Sequence, residues 1–242
     1  MKIYTLGTSH GACEPSRGCS GTLIDIDGDF YLFDCGGNIE GKMTDLGLPI
    51  ENIKGIFISH MHEDHAGGLS AIAKRFCVYI CKKSANIFLP EECGISAFRG
   101  WFSALHLPNE HLLNFKLVTE GEIYSDEKVR IKAIPTKHIA GGKFPSFAYE
   151  IVSCGKRIIY TGDLSSDFCD YPQAILSEPF DLVISELTHF DVERSFAVLK
   201  LSKTGWCIFT HIYPGKDELL RGVADGLDFK VDIAKDGDCF TL

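Results

Sequence analysis

The apolar run Ile56-Phe57-Ile58 passes directly into Ser59-His60-Met61-His62-Glu63-Asp64-His65, three histidines and two acids within seven residues. A buried strand ordinarily ends in polar turn residues, and that is the plain alternative for this segment. The residue types argue for more. In a turn after a strand, residues two apart point the same way, as His60 and His62 would. Asp64 and His65, at the start of a helix, would face a second point a few ångströms away. Imidazole and carboxylate donors suit zinc, iron or manganese. Four ligands shared by two neighbouring ions is a natural use of this spacing, and Gly67-Gly68 just beyond it supplies a turn.

Four donors do not complete two metal sites, because each ion takes about four or five ligands. Further histidines and a bridging carboxylate are therefore expected downstream. His138 follows the strand-like Ile131-Lys132-Ala133-Ile134-Pro135 and precedes Ala140-Gly141-Gly142. Asp163 closes the segment RIIYTGD, where Gly162 lets the carboxylate approach closely. His211 ends the segment WCIFTH and is followed by Tyr213-Pro214-Gly215. Each stands at a strand end, where loops carry function on a rigid frame. His10 lies in a glycine-flanked loop after the first strand and His189 near the end of another, whereas His106 and His111 read as surface residues.

Around these positions the pattern is mixed α/β. Strands are expected at 2–6, 21–26, 29–34 and 55–59, with Asp27-Gly28 as a tight hairpin turn, and at 77–81. Helices are expected around 39–47 and 66–75. The stretch 84–113 holds Pro90, Gly94, Gly100 and Pro108 and reads as an irregular, substrate-facing insertion. The second half reads as strands at 121–124, 129–134, 146–153, 156–161, 181–185 and 206–210, with helices at 190–201 and 216–224. The chain end reads as two short strands joined at Asp236-Gly237. With no linker-like tract and no repeat, one layered α/β domain over residues 1–242 is expected.

Composition narrows the setting. The 242 residues are 45% hydrophobic and 24% charged, enough for a substantial core. No apolar stretch is long enough for a transmembrane helix. The start MKIYTLGTSHG reads as a strand and not as a signal peptide, which implies a cytoplasmic location. A net charge of −9 disfavours broad nucleic-acid binding, and Lys74, Arg75, Lys82 and Lys83 read as a solvated helix face. Ten cysteines without a CxxC pair read as reduced thiols, several buried as small hydrophobes.

The sequence HMHEDH at 60–65, the distant His138, TGD at 161–163 and FTH at 209–211 resemble the metallo-β-lactamase superfamily, and FDCGG at 33–37 and the closing AKDG resemble its other recurring segments. The resemblance spans nearly the whole chain. It implies a four-layer αββα sandwich of two mixed β-sheets. It further implies that His60, His62 and His138 hold one divalent metal and that Asp64, His65 and His211 hold the other. Asp163 would bridge them, and Asp34 would orient a ligand histidine or its loop. Zinc is the expected ion, and manganese or iron suits the same ligands. Glu186 and His189 loosely resemble a segment of the RNA-processing branch.

Two such ions about 3.5–4 Å apart would lower the pKa of a shared water, and the hydroxide would attack an electrophilic centre. Asp64 or Asp163 would orient it, and a metal-bound water, His10 or His189 would supply a proton to the leaving group. The LGTSHG start and the TGD aspartate look more like the phosphodiesterase and ribonuclease Z branches than the antibiotic-hydrolysing enzymes. A phosphodiesterase acting on a small or nucleotide-like substrate is therefore the first expectation. An acidic chain without a long basic arm weighs against tRNA. A lactone, thioester or carboxylic ester hydrolase is the alternative. A non-hydrolytic redox or sensor module is the other, and His62, where diiron members carry an acid, weighs against it.

Overall fold

The computed structural model describes all residues 1–242. Its backbone resolves into two compact units, Met1–Val118 with Lys235–Thr241, and Thr119–Ala234 with Leu242.

In the first unit, β1 (Lys2–Gly7), β2 (Gly21–Ile26) and β3 (Asp29–Phe33) form an antiparallel meander. Asp27 and Gly28 both take positive φ, 49° and 83°, the turn geometry that matches the twist of a two-residue hairpin. Then β4 (Ile53–Phe57), β5 (Ala85–Leu89) and β6 (Leu113–Leu117) add in parallel. Helices α1 (Ile39–Asp45), α2 (Glu63–Ala66), α3 (Leu69–Lys74) and α4 (Glu92–Ala104) connect them. Ile39, Met43, Leu69, Ile72 and Phe102 join Leu23, Leu32, Ile56 and Ile87 in one buried cluster. Phe33, Phe57 and Phe88 point the other way and stack across neighbouring strands, with centroids 5.2 and 4.8 Å apart. Strands buried on both faces read as continuous apolar runs, which is the pattern of Ile56-Phe57-Ile58.

The second unit repeats the plan. An antiparallel set, β7 (Gly121–Ser125), β8 (Val129–Pro135), β9 (Phe147–Ser153) and β10 (Lys156–Tyr160), is extended in parallel by β11 (Leu182–Leu187), β12 (Trp206–Ile212) and β13 (Lys230–Ile233). Helices α5 (Gln173–Ser177), α6 (Val192–Leu199) and α7 (Lys216–Val223) bury Ile175, Val192, Leu199 and Leu220 with Ile159, Val183 and Phe209. The last strand, β14 (Cys239–Thr241), pairs with β1 in the first sheet. Each sheet thus has seven strands, in the orders β14-β1-β2-β3-β4-β5-β6 and β13-β12-β11-β10-β9-β8-β7.

Several sequence expectations need correction. Residues 77–81 are not a strand: Arg75–Ile80 form a π-helical turn continuing α3, with Phe76 and Cys77 buried and Val78 and Tyr79 exposed. One-sided burial overrode the strand propensity of Val, Tyr and Ile. The stretch 84–113 is not irregular, since it contains β5 inside the sheet and the thirteen-residue α4. Gly94 misled because it serves contact: a Cβ there would lie 2.8 Å from the Met61 side chain. The expected helix 66–75 is split by Gly67-Gly68, where a Cβ on Gly68 would fall 1.9 Å from the Gly36 carbonyl oxygen. The two terminal strands flank the expected Asp236-Gly237 turn, and each pairs into a different sheet. Six of the ten cysteines are exposed, and Cys19, Cys35, Cys77 and Cys207 are the buried ones.

These glycines make opposite predictions. Gly100→Ala, on the exposed side of α4 with nothing near its Cβ, should raise stability by about 0.5–1 kcal/mol. Gly68→Ala should lower it by more than that, because backbone would have to move. Urea denaturation of both variants checks the pair.

Candidate metal centre

In the first unit the site is assembled beyond the carboxyl ends of the parallel strands β3 and β4, the end at which open α/β sheets bind ligands. Asp34 follows β3, takes a left-handed φ of 58° and is fully buried. Its Oδ1 accepts the Ser59 amide N–H at 2.7 Å, and its Oδ2 accepts the Ser59 hydroxyl at 2.8 Å and His65 Nδ1–H at 2.7 Å. Because the Ser59 proton is committed to Asp34, His60 Nδ1, 3.0 Å from Ser59 Oγ, must be the donor in that contact. Both imidazoles therefore carry their lone pair on Nε2, the tautomer a metal ligand needs. His60 Nε2 lies 2.9 Å from His62 Nδ1, and His65 Nε2 lies 3.2 Å from Asp64 Oδ2. His60, Asp64 and His65 are buried and His62 is exposed.

The second unit builds its own set at the ends of β8, β10, β11 and β12. Asp163 is buried and comes after Gly162, whose φ is 56°. Its Oδ1 faces His211 Nε2 at 3.4 Å, and its Oδ2 faces His138 Nε2 at 3.6 Å and His189 Nδ1 at 3.6 Å. His138 Nδ1–H donates to the Leu164 carbonyl at 3.3 Å, again leaving the lone pair on Nε2. Burial pushes the His138 pKa down, against the pull of Asp163, and so favours the neutral ring. His211 occupies a β-bulge: Thr210 pairs with Glu186 and Ile212 with Leu187, so His211 is the extra residue, at φ 49°. A bulge re-aims a side chain that regular alternation would point elsewhere.

Glu186 organises this set as Asp34 organises the first. Its Oε1 accepts the Leu164 amide N–H at 2.6 Å, next to Asp163. Its Oε2 accepts the amides of Thr188 and His189 at 2.9 and 2.8 Å and lies 2.9 Å from His189 Nδ1.

In the second unit the residues fit a divalent ion. Asp163, His189 and His211 present one donor each within 4.8 Å of one another. Ligands at zinc–nitrogen or zinc–oxygen bonds of about 2.0–2.1 Å stand roughly 3.3 Å apart on a tetrahedron. The donor separations above, from 2.9 to 3.6 Å, bracket that edge.

The remaining candidates divide. His189 lies with Asp163 and His211, its ring 4.5 Å from that of His138. His10 faces Glu14 at 3.4 Å within its own loop. His106 and His111 are exposed. Two residues with supporting roles, Ser59 and Asp170, were not singled out from the sequence, and a third, Asp236, was read there only as part of the closing AKDG turn. Ser59 relays Asp34 to His60. Asp170 accepts the Lys137 and Ser165 amides and so ties the loop before His138 to the one after Asp163. Asp236 binds Thr8 and the Gly18 amide and closes the loop that carries His10. Asp236 stands beside Gly237, as turn formers do, and Asp170, flanked by Cys169 and Tyr171, gives no signal of its own.

Comparison with known proteins adds independent findings. The chain is 31% identical over 156 residues to ribonuclease Z of Brevibacillus brevis, a match covering 63% of this chain and 47% of that protein. It spans about half the length of several ribonuclease Z relatives it matches. The crystal structure of human tRNase Z, short form, superposes with TM-score 0.77 at 22% identity over 100% of this chain and 99% of that one. The metallo-β-lactamase fold protein YhfI of Bacillus subtilis superposes with TM-score 0.80 at 20% identity over 99% and 98%. Two mixed seven-stranded sheets with flanking helices, and this ordered set of histidines and aspartates, define the metallo-β-lactamase superfamily in its ribonuclease Z and phosphodiesterase branch. Within it, the chain belongs to the family of the anti-Pycsar protein Apyc1, whose family model matches residues 1–189.

Removing Asp34 tests the first set. Asp34→Ala leaves Ser59 and His65 donors buried without their acceptor and should cost about 3–5 kcal/mol of stability, with metal affinity falling roughly 10- to 100-fold. Asp34→Asn should cost less on both counts. Denaturation and competitive metal titration measure the two effects separately.

Proposed function

We propose that the protein is a metal-dependent phosphodiesterase acting on a small, nucleotide-like substrate. The observation that carries the reading is the fixed tautomer of three histidines, His60, His65 and His138, each with Nδ1–H committed to the protein and Nε2 turned to the other donors. A structural cluster has no need to hold that nitrogen in reserve. His60, His62 and His138 would hold one divalent ion and Asp64, His65 and His211 the other, with Asp163 shared. The ions are zinc in this reading, with manganese or iron acceptable to the same donors. Residues 1–242 would then act as one catalytic module, in the cytoplasm; no helix is long and apolar enough to cross a membrane.

When bound, divalent ions supply positive charge that acidifies water and offsets charge developing on the substrate oxygens. The side chains do the rest. Asp64 and Asp163, whose carboxylates face imidazoles at 3.2–3.6 Å, orient the attacking water and accept its hydrogen bond. As the bond from phosphorus to the leaving oxygen breaks, its electron pair stays on that oxygen. His189 delivers a proton from Nε2 to it, with Glu186 Oε2 holding Nδ1 at 2.9 Å. His189 fits this part better than His10, which engages Glu14.

Phosphodiester chemistry is favoured over acyl chemistry by the relatives named ribonuclease Z and tRNase Z. A net charge of −9 favours a small substrate over a long nucleic acid. Zinc-loaded protein should cleave bis(p-nitrophenyl) phosphate and leave lactones and S-acyl glutathiones intact; the reverse pattern would move the assignment to the acyl class. Asp64→Ala and Asp163→Ala should abolish turnover with the fold retained. Metal analysis of unchelated protein should find about two ions per chain, and fewer than one would sink the paired-ion reading.

A further inference from the structure

Lys216 breaks a local rule. It is the first residue of α7, after Gly215 at φ 82°, where the helix dipole disfavours a cation. Asp217 and Glu218 follow it in the first turn, so the segment does not lack charge that suits the position. The side chain is half-buried, and burial pushes its pKa down although the Glu186 and Asp191 carboxylates pull it up. A lysine held in this way, away from water and against a dipole, needs a return.

That return lies on the other side of the His189 loop. Lys216 Nζ donates to the carbonyl oxygens of Thr188 and Phe190, the two residues flanking His189, at 2.5 Å each. On the opposite edge Glu186 accepts the amides of Thr188 and His189 and holds the imidazole. The Thr188 hydroxyl donates to the His211 carbonyl, so the same clamp reaches the bulge that aims His211. The peptides around His189 are thus gripped from their N–H side by an anion and from their C=O side by a cation. Hydrogen bonds to charged groups are the strong ones, and two from one ammonium fix a loop in place and orientation.

We propose that Lys216 is a positioning residue, which acts through His189 by clamping the carbonyls on either side of it so that the ring stays aligned with the leaving oxygen. The proposal rests on the hydrolytic reading above only for its kinetic consequence; the clamp itself is a statement about the loop.

The test separates these two. Lys216→Met keeps the aliphatic stem and removes the donors, and Lys216→Arg keeps donors on a different head. With zinc-loaded protein, two phosphodiesters are compared: bis(p-nitrophenyl) phosphate, whose leaving group needs no proton, and a dinucleoside monophosphate, whose alkoxide does. Lys216→Met should lower kcat on the dinucleoside roughly 10- to 100-fold and on the nitrophenyl ester less than about threefold, with KM unchanged, because general-acid catalysis supplies 10²–10⁴ and only part depends on alignment. Lys216→Arg should recover part of the loss, and Lys216→Met should add nothing in a His189→Ala background. Amide exchange at Thr188 and His189 should accelerate in Lys216→Met at unchanged metal content.

Equal loss on both esters, or unchanged turnover of both, would overturn the role assigned to Lys216. Unchanged exchange at 188–189 would overturn the clamp whatever the kinetics show. If the wild-type protein cleaves neither ester, the hydrolytic reading falls, and the exchange result alone decides whether the loop is held by Lys216.

Discussion

A buried carboxylate at Asp34 sets the terms for the whole HMHEDH segment. Three donors converge on it: the Ser59 amide, the Ser59 hydroxyl and His65 Nδ1. An isolated buried carboxylate would cost several kcal/mol, and these bonds offset that cost only while the β4 loop is in place. The loop's conformation and the charge are therefore mutually dependent. One consequence reaches beyond His65. By engaging the Ser59 proton, Asp34 dictates which nitrogen of His60 carries hydrogen, although the two residues share no direct bond. The tautomers of His60 and His65 are thus decided by the protein's own hydrogen bonds.

The second unit solves the same problem with a longer side chain. Glu186 sits inside β11 and accepts three backbone amides as well as facing His189. Asp34 sits just beyond β3 and mostly serves side chains. The difference follows from position. A residue within a strand near its end has neighbouring loop amides to collect, whereas a residue past the strand end meets the adjacent loop's side chains. Backbone strain accompanies both solutions: Asp34 at φ 58° and His211 at φ 49° occupy a region that most non-glycine residues avoid. Such strain persists where surrounding contacts over-determine it, and it clusters at functional sites.

Much of this was legible in the sequence because strand periodicity and ligand chemistry coincide. Each apolar run that ended in His or Asp is a strand end in the structure, and both hairpin and terminal turns fell where Asp-Gly pairs stood. Glycine was also the main source of error. Gly94 marks close packing on Met61 and Gly68 close packing on Gly36, yet both residues look like loop punctuation in a sequence. The π-helical turn at Arg75–Ile80 was hidden for another reason, since its strand-forming residues are helical only through burial of Phe76 and Cys77. Asp170 and Lys216 were invisible because their partners are backbone groups, brought near by the fold and not by spacing.

The supporting residues differ from the candidate ligands in what they can tolerate. A ligand must present one atom to one point, so chemistry restricts it to a few residue types. A residue such as Lys216 or Asp170 must only grip main chain, which every sequence offers. Support can therefore be rebuilt from different residue types, while the ligand set is confined to imidazole and carboxylate. The loops that carry His138, Asp163, His189 and His211 are held together by Asp170, Glu186 and Lys216 mostly through carbonyls and amides. That arrangement separates geometry from chemistry: side chains between the gripped peptides can change without loosening the frame that aims these four residues.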